Sequence, residues 1–470
     1  MASNNFKEKI NVWFDAHKDE MIADLAKLIS VKSVAGAPKG DMPYGEGSYK
    51  ALMTAKEIIE AKGFGTQVYG NAVLSADMNC GQAQLAMLAH VDVVPEGEGW
   101  STDPYTMVEK DGALYGRGTS DDKGPAIAAL YAMCAAREIA PELTKNCRLI
   151  LGSAEETGMG DLHFYEKEAT YPPMVFSPDA DFPLINIEKG KFGPDFYCDW
   201  VESTALPRIV FAQGGSVSNI VPRAADALIE GLTAADVKPM CDEFASRFGT
   251  EITYRDTDRG VIITAYGVAA HASVPANGLN ANTVLLTVLT HLPIAESEPF
   301  FRLKQLAALI PHGDFNGTSL GINCKDDESG EISVNFGIFK FDLHGMSGNL
   351  DLRTPICADS MPLAKMTEAA FRRAGINCNV DHILPSHSVP AESEFVKTLL
   401  NIYEDYTGLK GEALSIGGLT YAHGIPGAVA FGCSFPGRDP GIHGIDENFL
   451  VDELLVSAKI FTQAIIDLCK

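Results

Sequence analysis

The strongest constraint on this chain is a set of four short polar segments, each following an apolar run. They are Leu88-Ala-His90-Val-Asp92, Gly116-Arg-Gly-Thr-Ser-Asp121-Asp122-Lys-Gly124, Ser153-Ala-Glu155-Glu156-Thr-Gly158 and Ser177-Pro-Asp179-Ala-Asp181; a fifth, Gly441-Ile-His443-Gly444, lies far downstream. Two imidazoles with a surplus of carboxylates are costly to bury uncompensated, and metal ions provide the compensation. The runs at 84–90 and 147–152 read as strands apolar on both faces, with a small-residue helix over 125–137 between them. That alternation predicts a largely parallel sheet covered by helices, in which ligands gather at the carboxyl ends of the strands. His90, Glu155 and Asp179 fall there.

At 470 residues the chain is too long for one ordinary core and predicts two domains, one interrupting the other. Helical apolar spacing marks 6–29 and 48–61, the second stopped by Lys62-Gly63. From about residue 185 the texture changes to amphipathic hairpin patterns (260–267, 331–341) mixed with helices (281–291, 363–374). After Pro390 the earlier rhythm returns, with a helix over 395–406 and a strand over 427–432 leading to His443. The expected fold is α/β: a discontinuous catalytic domain with a mostly parallel sheet (1–185 and 386–470), interrupted by an α+β lid domain (186–385).

Composition narrows the function. With 37 basic against 62 acidic residues the net charge is −25, so phosphate backbones are repelled and nucleic acid is not an expected partner. No stretch approaches a membrane span and the N-terminus lacks the pattern of a secretory signal, so no membrane partner is expected. Ten cysteines without a CxxC pair suggest neither a disulfide framework nor a thiolate zinc site, and cytoplasmic location is the expectation.

Each segment suits a distinct task. His90 and Asp92 leave the same face of an extended run, a geometry in which a carboxylate orients a metal-ligating imidazole. Asp121 precedes the helix that opens near Lys123-Gly124-Pro125; it or Asp122 suits a helix cap, and a rigid carboxylate there also suits a bridge between two cations. Glu155 and Glu156, adjacent at a strand end, should point differently, one toward metal and one toward the substrate and its attacking water. With Asp179 and His443 the ligand set holds two imidazoles and three carboxylates. Two divalent ions would leave a small positive surplus to acidify a bridging water and polarise a carbonyl. The string Gly317-Thr-Ser319-Leu-Gly321 matches GxSxG but precedes no helix, so it is not read as a nucleophile elbow.

These motifs resemble the co-catalytic di-zinc metallopeptidase family that includes glutamate carboxypeptidase, succinyl-diaminopimelate desuccinylase, aminoacylase and carnosinase. The resemblance covers nearly the whole chain. It implies that His90 and Asp179 hold one Zn2+, Glu156 and His443 a second, and that Asp121 bridges them, with Mn2+ or Co2+ as substitutes. It further implies that Asp92 orients His90 and that Glu155 is the general base. The segment Tyr266-Gly-Val-Ala-Ala-His271-Ala-Ser-Val-Pro275 resembles the family's lid segment, whose His stabilises the oxyanion. A lid of roughly 200 residues is similar to that of the bacterial PepV-like dipeptidases, which supply the lid His within one chain, so a monomer is expected. Asn219 and Arg353 are similar to that subgroup's substrate-binding residues, a guanidinium suiting a substrate carboxylate through two parallel hydrogen bonds. Gly417 and Gly418 resemble the start of its glycine-rich stretch, which implies a substrate-binding role for them. Here that stretch reads Gly417-Gly418-Leu419-Thr420-Tyr421-Ala422-His423, departing at Leu419 and His423, so side-chain preference does not transfer.

The expected activity is hydrolysis of short unblocked peptides by a metal-bridged hydroxide, with Glu155 as base and a small peptide as substrate. An N-acyl-amino-acid deacylase on the same ligands and a silent peptide-binding protein are the competing readings.

Overall fold

A computed structural model describes residues 3–470, with side chains from Phe6 onward. The chain forms two compact units. One comprises Met1–Ile187, Ser388–Leu414 and Leu419–Lys470; the other comprises Glu188–His387 and Ser415–Gly418.

The sheet of the first unit runs in the order Thr66–Tyr69, Val73–Asp77, Asn146–Gly152, Ala83–His90, Met174–Ser177, Val429–Ala430, Leu184–Glu188. Its centre is parallel and its flanks antiparallel. The central strands lack polar alternation because helices cover both faces: Leu85 to Ala89 are all buried. Register explains the site. His90 lies opposite Gly152, Met87 opposite Phe176, and Ala430 opposite Ser177, so the carboxyl ends of these strands come together.

The Ala-rich helix Lys123–Ile139 is buried along nearly its whole length, its small side chains permitting close approach of neighbouring helices. It packs against the helices Ser3–Ile29 and Val451–Leu468. Asp24 ties this layer together: its carboxylate accepts from Lys27 Nζ (2.7 Å) and Tyr131 Oη (2.8 Å) and lies 2.7 Å from Lys62 Nζ. A three-stranded antiparallel sheet of Val108–Lys110, Ala113–Tyr115 and Asn448–Leu450 brings the chain beyond His443 against the segment that leads to Asp121.

The second unit is a fully antiparallel sheet in the order Ile252–Thr257, Gly260–Tyr266, Ala224–Glu230, Arg208–Gly214, Ser333–Phe341, Gly345–Thr354, Gly190–Phe192, Ile383–Leu384. The helices Ala234–Phe248, Ala281–His291, Glu298–Leu309 and Ser360–Arg373 contribute to its apolar core. The helix Ala281–His291 is capped by Asn280, whose side chain accepts from Thr283 N. Among the described residues no helix is long and apolar enough to cross a membrane, and no disulfide joins the cysteines.

Candidate metal centre

His90 ends its strand fully buried. Its Nδ1 is 3.0 Å from the Asp92 carbonyl and 3.4 Å from the Asp92 Oδ1, so the backbone is the nearer partner where sequence reasoning expected the carboxylate. The Asp92 carboxylate does something further: Oδ1 accepts from Glu155 N (3.1 Å) and Oδ2 from Glu156 N (3.2 Å). One buried residue thus sets both the imidazole, through its carbonyl, and the turn that carries the two glutamates, through its carboxylate.

Asp121 faces two imidazoles with separate oxygens. Oδ1 is 3.0 Å from His90 Nε2, and Oδ2 is 2.9 Å from His443 Nε2. His90 Nε2 also lies 3.5 Å from Asp179 Oδ2, and His443 Nε2 lies 3.2 Å from Glu156 Oε1. His90, Asp121 and Glu156 offer ligand atoms all within 4.8 Å of one another, and so do His90, Glu155 and Asp179. Glu155 and Glu156 sit on the turn that follows the strand, and each shares one of these two groups with His90.

Asp122 does not cap the helix it precedes, contrary to one expectation: its carboxylate accepts the His90 N–H at 2.9 Å instead. The reason is burial, since an unpaired His90 N–H at the strand end would cost more than an uncapped helix start with other partners.

The donor set holds more carboxylates than imidazoles to balance them. Burial, then repulsion from Asp121, push Glu156 up to about 7, and burial pushes Glu155 well above the usual carboxylate range. Hydrogen bonds to Asp121 and Glu156 carry His443 up to about 11. Burial opposes protonation of His90, but Asp121, Asp179 and Asp92 outweigh it and hold its pKa well above the ordinary value. His90 Nε2 is nevertheless a buried nitrogen without a hydrogen-bond partner, close to two carboxylates but out of line with both. A cation between these groups would satisfy that nitrogen and the crowded carboxylates together. The residues fit metal ions.

Two supports escaped the sequence reading. Glu447, fully buried, accepts from Arg117 Nη1 (2.7 Å), Gly118 N (3.1 Å), Ser120 N (2.9 Å) and Asp121 N (3.1 Å), and so shapes the loop that presents Asp121. Asp161, also buried, accepts from Ser153 N (2.6 Å), Ala154 N (3.0 Å) and Tyr421 Oη (2.6 Å), fixing the strand exit before Glu155. Gly152 is required there, because a Cβ would stand 1.9 Å from Tyr421 Oη. Neither acid carries a local signal; Tyr421 alone lay in a stretch already singled out.

The remaining candidates lie in the second unit. His271 Nδ1 is 2.7 Å from Ser273 Oγ, and Ala272 N donates to Asn219 O at 2.9 Å. Arg353 is buried and gives Nε and Nη2 to Asp351 and Nη1 to Gly417 O. Gly418 follows in the same short stretch of that unit.

Two imidazoles and four carboxylates converging at the carboxyl ends of parallel strands define a metallohydrolase. The chain matches Peptidase family M20/M25/M40 over residues 86–467 and belongs to that family, so it is a peptidase. It is 34% identical over 471 residues to the YtjP protein of Bacillus subtilis (strain 168), covering 96% of this chain and 98% of that one. It is 31% identical over 471 residues to the Beta-Ala-Xaa dipeptidase of Lactobacillus delbrueckii subsp. lactis, covering 99% and 98%. The fold is shared with human carnosine dipeptidase 1 (TM-score 0.59, 15% identity, 98% of each chain). It is shared too with the metallo-carboxypeptidase Sso-CP2 of Sulfolobus solfataricus (TM-score 0.58, 17% identity, 95% and 98%).

Proposed function

We propose that the chain is a di-zinc dipeptidase that cleaves the peptide bond of short unblocked peptides. The observation that carries this reading is the division of Asp121 between His90 and His443, each imidazole with its own second carboxylate, Asp179 or Glu156. In the proposal His90 and Asp179 hold one zinc, His443 and Glu156 the other, and Asp121 bridges. Bound divalent cations supply Lewis-acid polarisation of the scissile carbonyl and acidify water at neutral pH.

Glu155 takes a proton from the attacking water and returns it to the leaving amine nitrogen as the C–N bond breaks, so water ends up divided between a new carboxylate and a new amine. A carboxyl whose pKa is raised by burial suits such two-way transfer. Asp92 positions Glu155 through its backbone N–H. His271 is assigned to the developing oxyanion in cis, the working form being a monomer, and Asn219, Arg353, Gly417 and Gly418 form the substrate face. The Lactobacillus relative's name supports a dipeptide substrate.

The test compares an unblocked dipeptide with its N-acetylated form on zinc-loaded protein, with metal counted per chain. Release of free amino acids from the unblocked form, lost in Glu155→Ala while two metals remain bound, is the expected result. Preference for the acetylated form would instead establish a deacylase.

A further inference from the structure

The second unit carries a short hairpin, Lys325–Asp326 paired with Gly330–Glu331, and the pairing continues to Cys324, whose carbonyl accepts from Ile332 N (3.0 Å). Residues two apart on a strand leave it on the same side, so Cys324 and Asp326 project together. The Asp326 carboxylate locks the hairpin by accepting from Glu328 N (2.9 Å), Ser329 N (2.5 Å) and Ser329 Oγ (2.7 Å). It also accepts from Cys357 N (3.1 Å), 31 residues further on, and Ser329 Oγ accepts from Ile356 N (2.9 Å). These two bonds pin the loop that follows the strand Gly345–Thr354 onto the hairpin. The Cys324 and Cys357 thiols are neighbours there.

Of the ten free cysteines only Cys80 and Cys357 are exposed, and Cys324 is half-buried behind Cys357 in the same clasp. A disulfide needs two main chains already close enough for the sulfurs to meet. The bonds to Asp326 and Ser329 hold them so, leaving side-chain rotation as the remaining motion. Charge decides which oxidant reaches the pair. The segment 325–331 carries one lysine against four acids, so it repels an anionic disulfide and attracts a cationic one.

We propose that Cys324 and Cys357 form a thiol–disulfide exchange site for cationic low-molecular-weight disulfides, those of aminothiols. The Cys357 thiolate attacks one sulfur of the small disulfide, breaking its S–S bond and releasing one aminothiol; the Cys324 thiolate then attacks the Cys357 sulfur and releases the second. Two protein S–H bonds are lost and one internal S–S bond is gained, the two hydrogens and two electrons leaving on two aminothiol molecules. Burial, then the Asp326 carboxylate, raise the Cys357 thiol, and burial pushes Cys324 up to about 11. Exchange is therefore slow, and the product is a lasting brace between hairpin and loop rather than a fast relay.

The test treats the folded full-length chain with cystamine, and in parallel with oxidised glutathione as the anionic comparison, and follows intact mass and peptide maps. Wild type is expected to become two hydrogens lighter, with one peptide joining Cys324 to Cys357. Cystamine should react ~10-fold or more faster than the glutathione disulfide at low salt, a gap that narrows as salt is added. Cys324→Ser should stop at an aminothiol adduct on Cys357, and the oxidised wild type should show a higher urea midpoint that dithiothreitol reverses. Wild type that halts at the Cys357 adduct overturns the proposal, as does modification of Cys80 with Cys324 and Cys357 left as thiols. Equal rates for the two disulfides at low salt refute the cationic preference, and an unchanged midpoint refutes the brace.

Discussion

Arg117 and Glu447 form an ion pair of 2.7 Å between residues 330 positions apart, with both side chains buried. The same carboxylate gathers three backbone N–H groups ending at Asp121, so the pair turns a flexible glycine-containing loop into a rigid mount for the residue that faces both imidazoles. Glu447→Ala strands a buried guanidinium. The expected cost is about 3–5 kcal/mol, read as a lower urea midpoint, with weaker metal binding alongside. A variant as stable as wild type would refute the role.

Asp92 is the second mount. Because its two oxygens hold Glu155 N and Glu156 N while it neighbours His90, Asp92→Ala is expected to lower metal affinity about 10–100-fold, measured by competition with a chelating dye. Wild-type affinity in that variant would show that the turn holds its shape unaided.

Metal removal should act on stability as well as on turnover. The centre crowds carboxylates around two imidazoles, so chelation is expected to lower the unfolding midpoint and added zinc to restore it. At free zinc 100 times its Kd the gain is about 2.7 kcal/mol. A midpoint indifferent to zinc would contradict a cation site.

Asp24 supplies a pH dependence away from the centre. Burial raises its pKa, but Lys27, Lys62 and Tyr131 outweigh this, and the net direction is downward. A carboxyl whose folded pKa lies below its unfolded value of about 3.9 contributes stability fully above that value and loses it as pH falls toward the folded pKa. Asp24→Asn should therefore be less stable than wild type at pH 7, by roughly 1.5–3 kcal/mol, with the gap closing below about pH 4. Parallel acid-unfolding curves would refute this.

Four of the metal-facing residues were legible because they sit at or just past a strand end, where period and chemistry change together: His90 as the last residue of an eight-residue strand, Glu155 and Glu156 after Gly152, Asp179 after Ser177. The helix 48–61 was also legible, though it starts earlier, at Gly45. The strand read over 427–432 shortens to Val429–Ala430, since pairing partners rather than apolar content decide how far a strand extends.

What the amino-acid order determined by itself was the alternation of buried strands and helices, the ligand types and their sequence of appearance, because these depend on local periodicity and on the cost of burying charge. Only the tertiary structure decided that Glu447 and Asp161 support the site, that Asp122 serves His90 rather than its helix, and that Arg353 is bound to Asp351. A buried carboxylate is defined by which backbone N–H groups reach it, and those arrive from distant segments whose register no local pattern encodes.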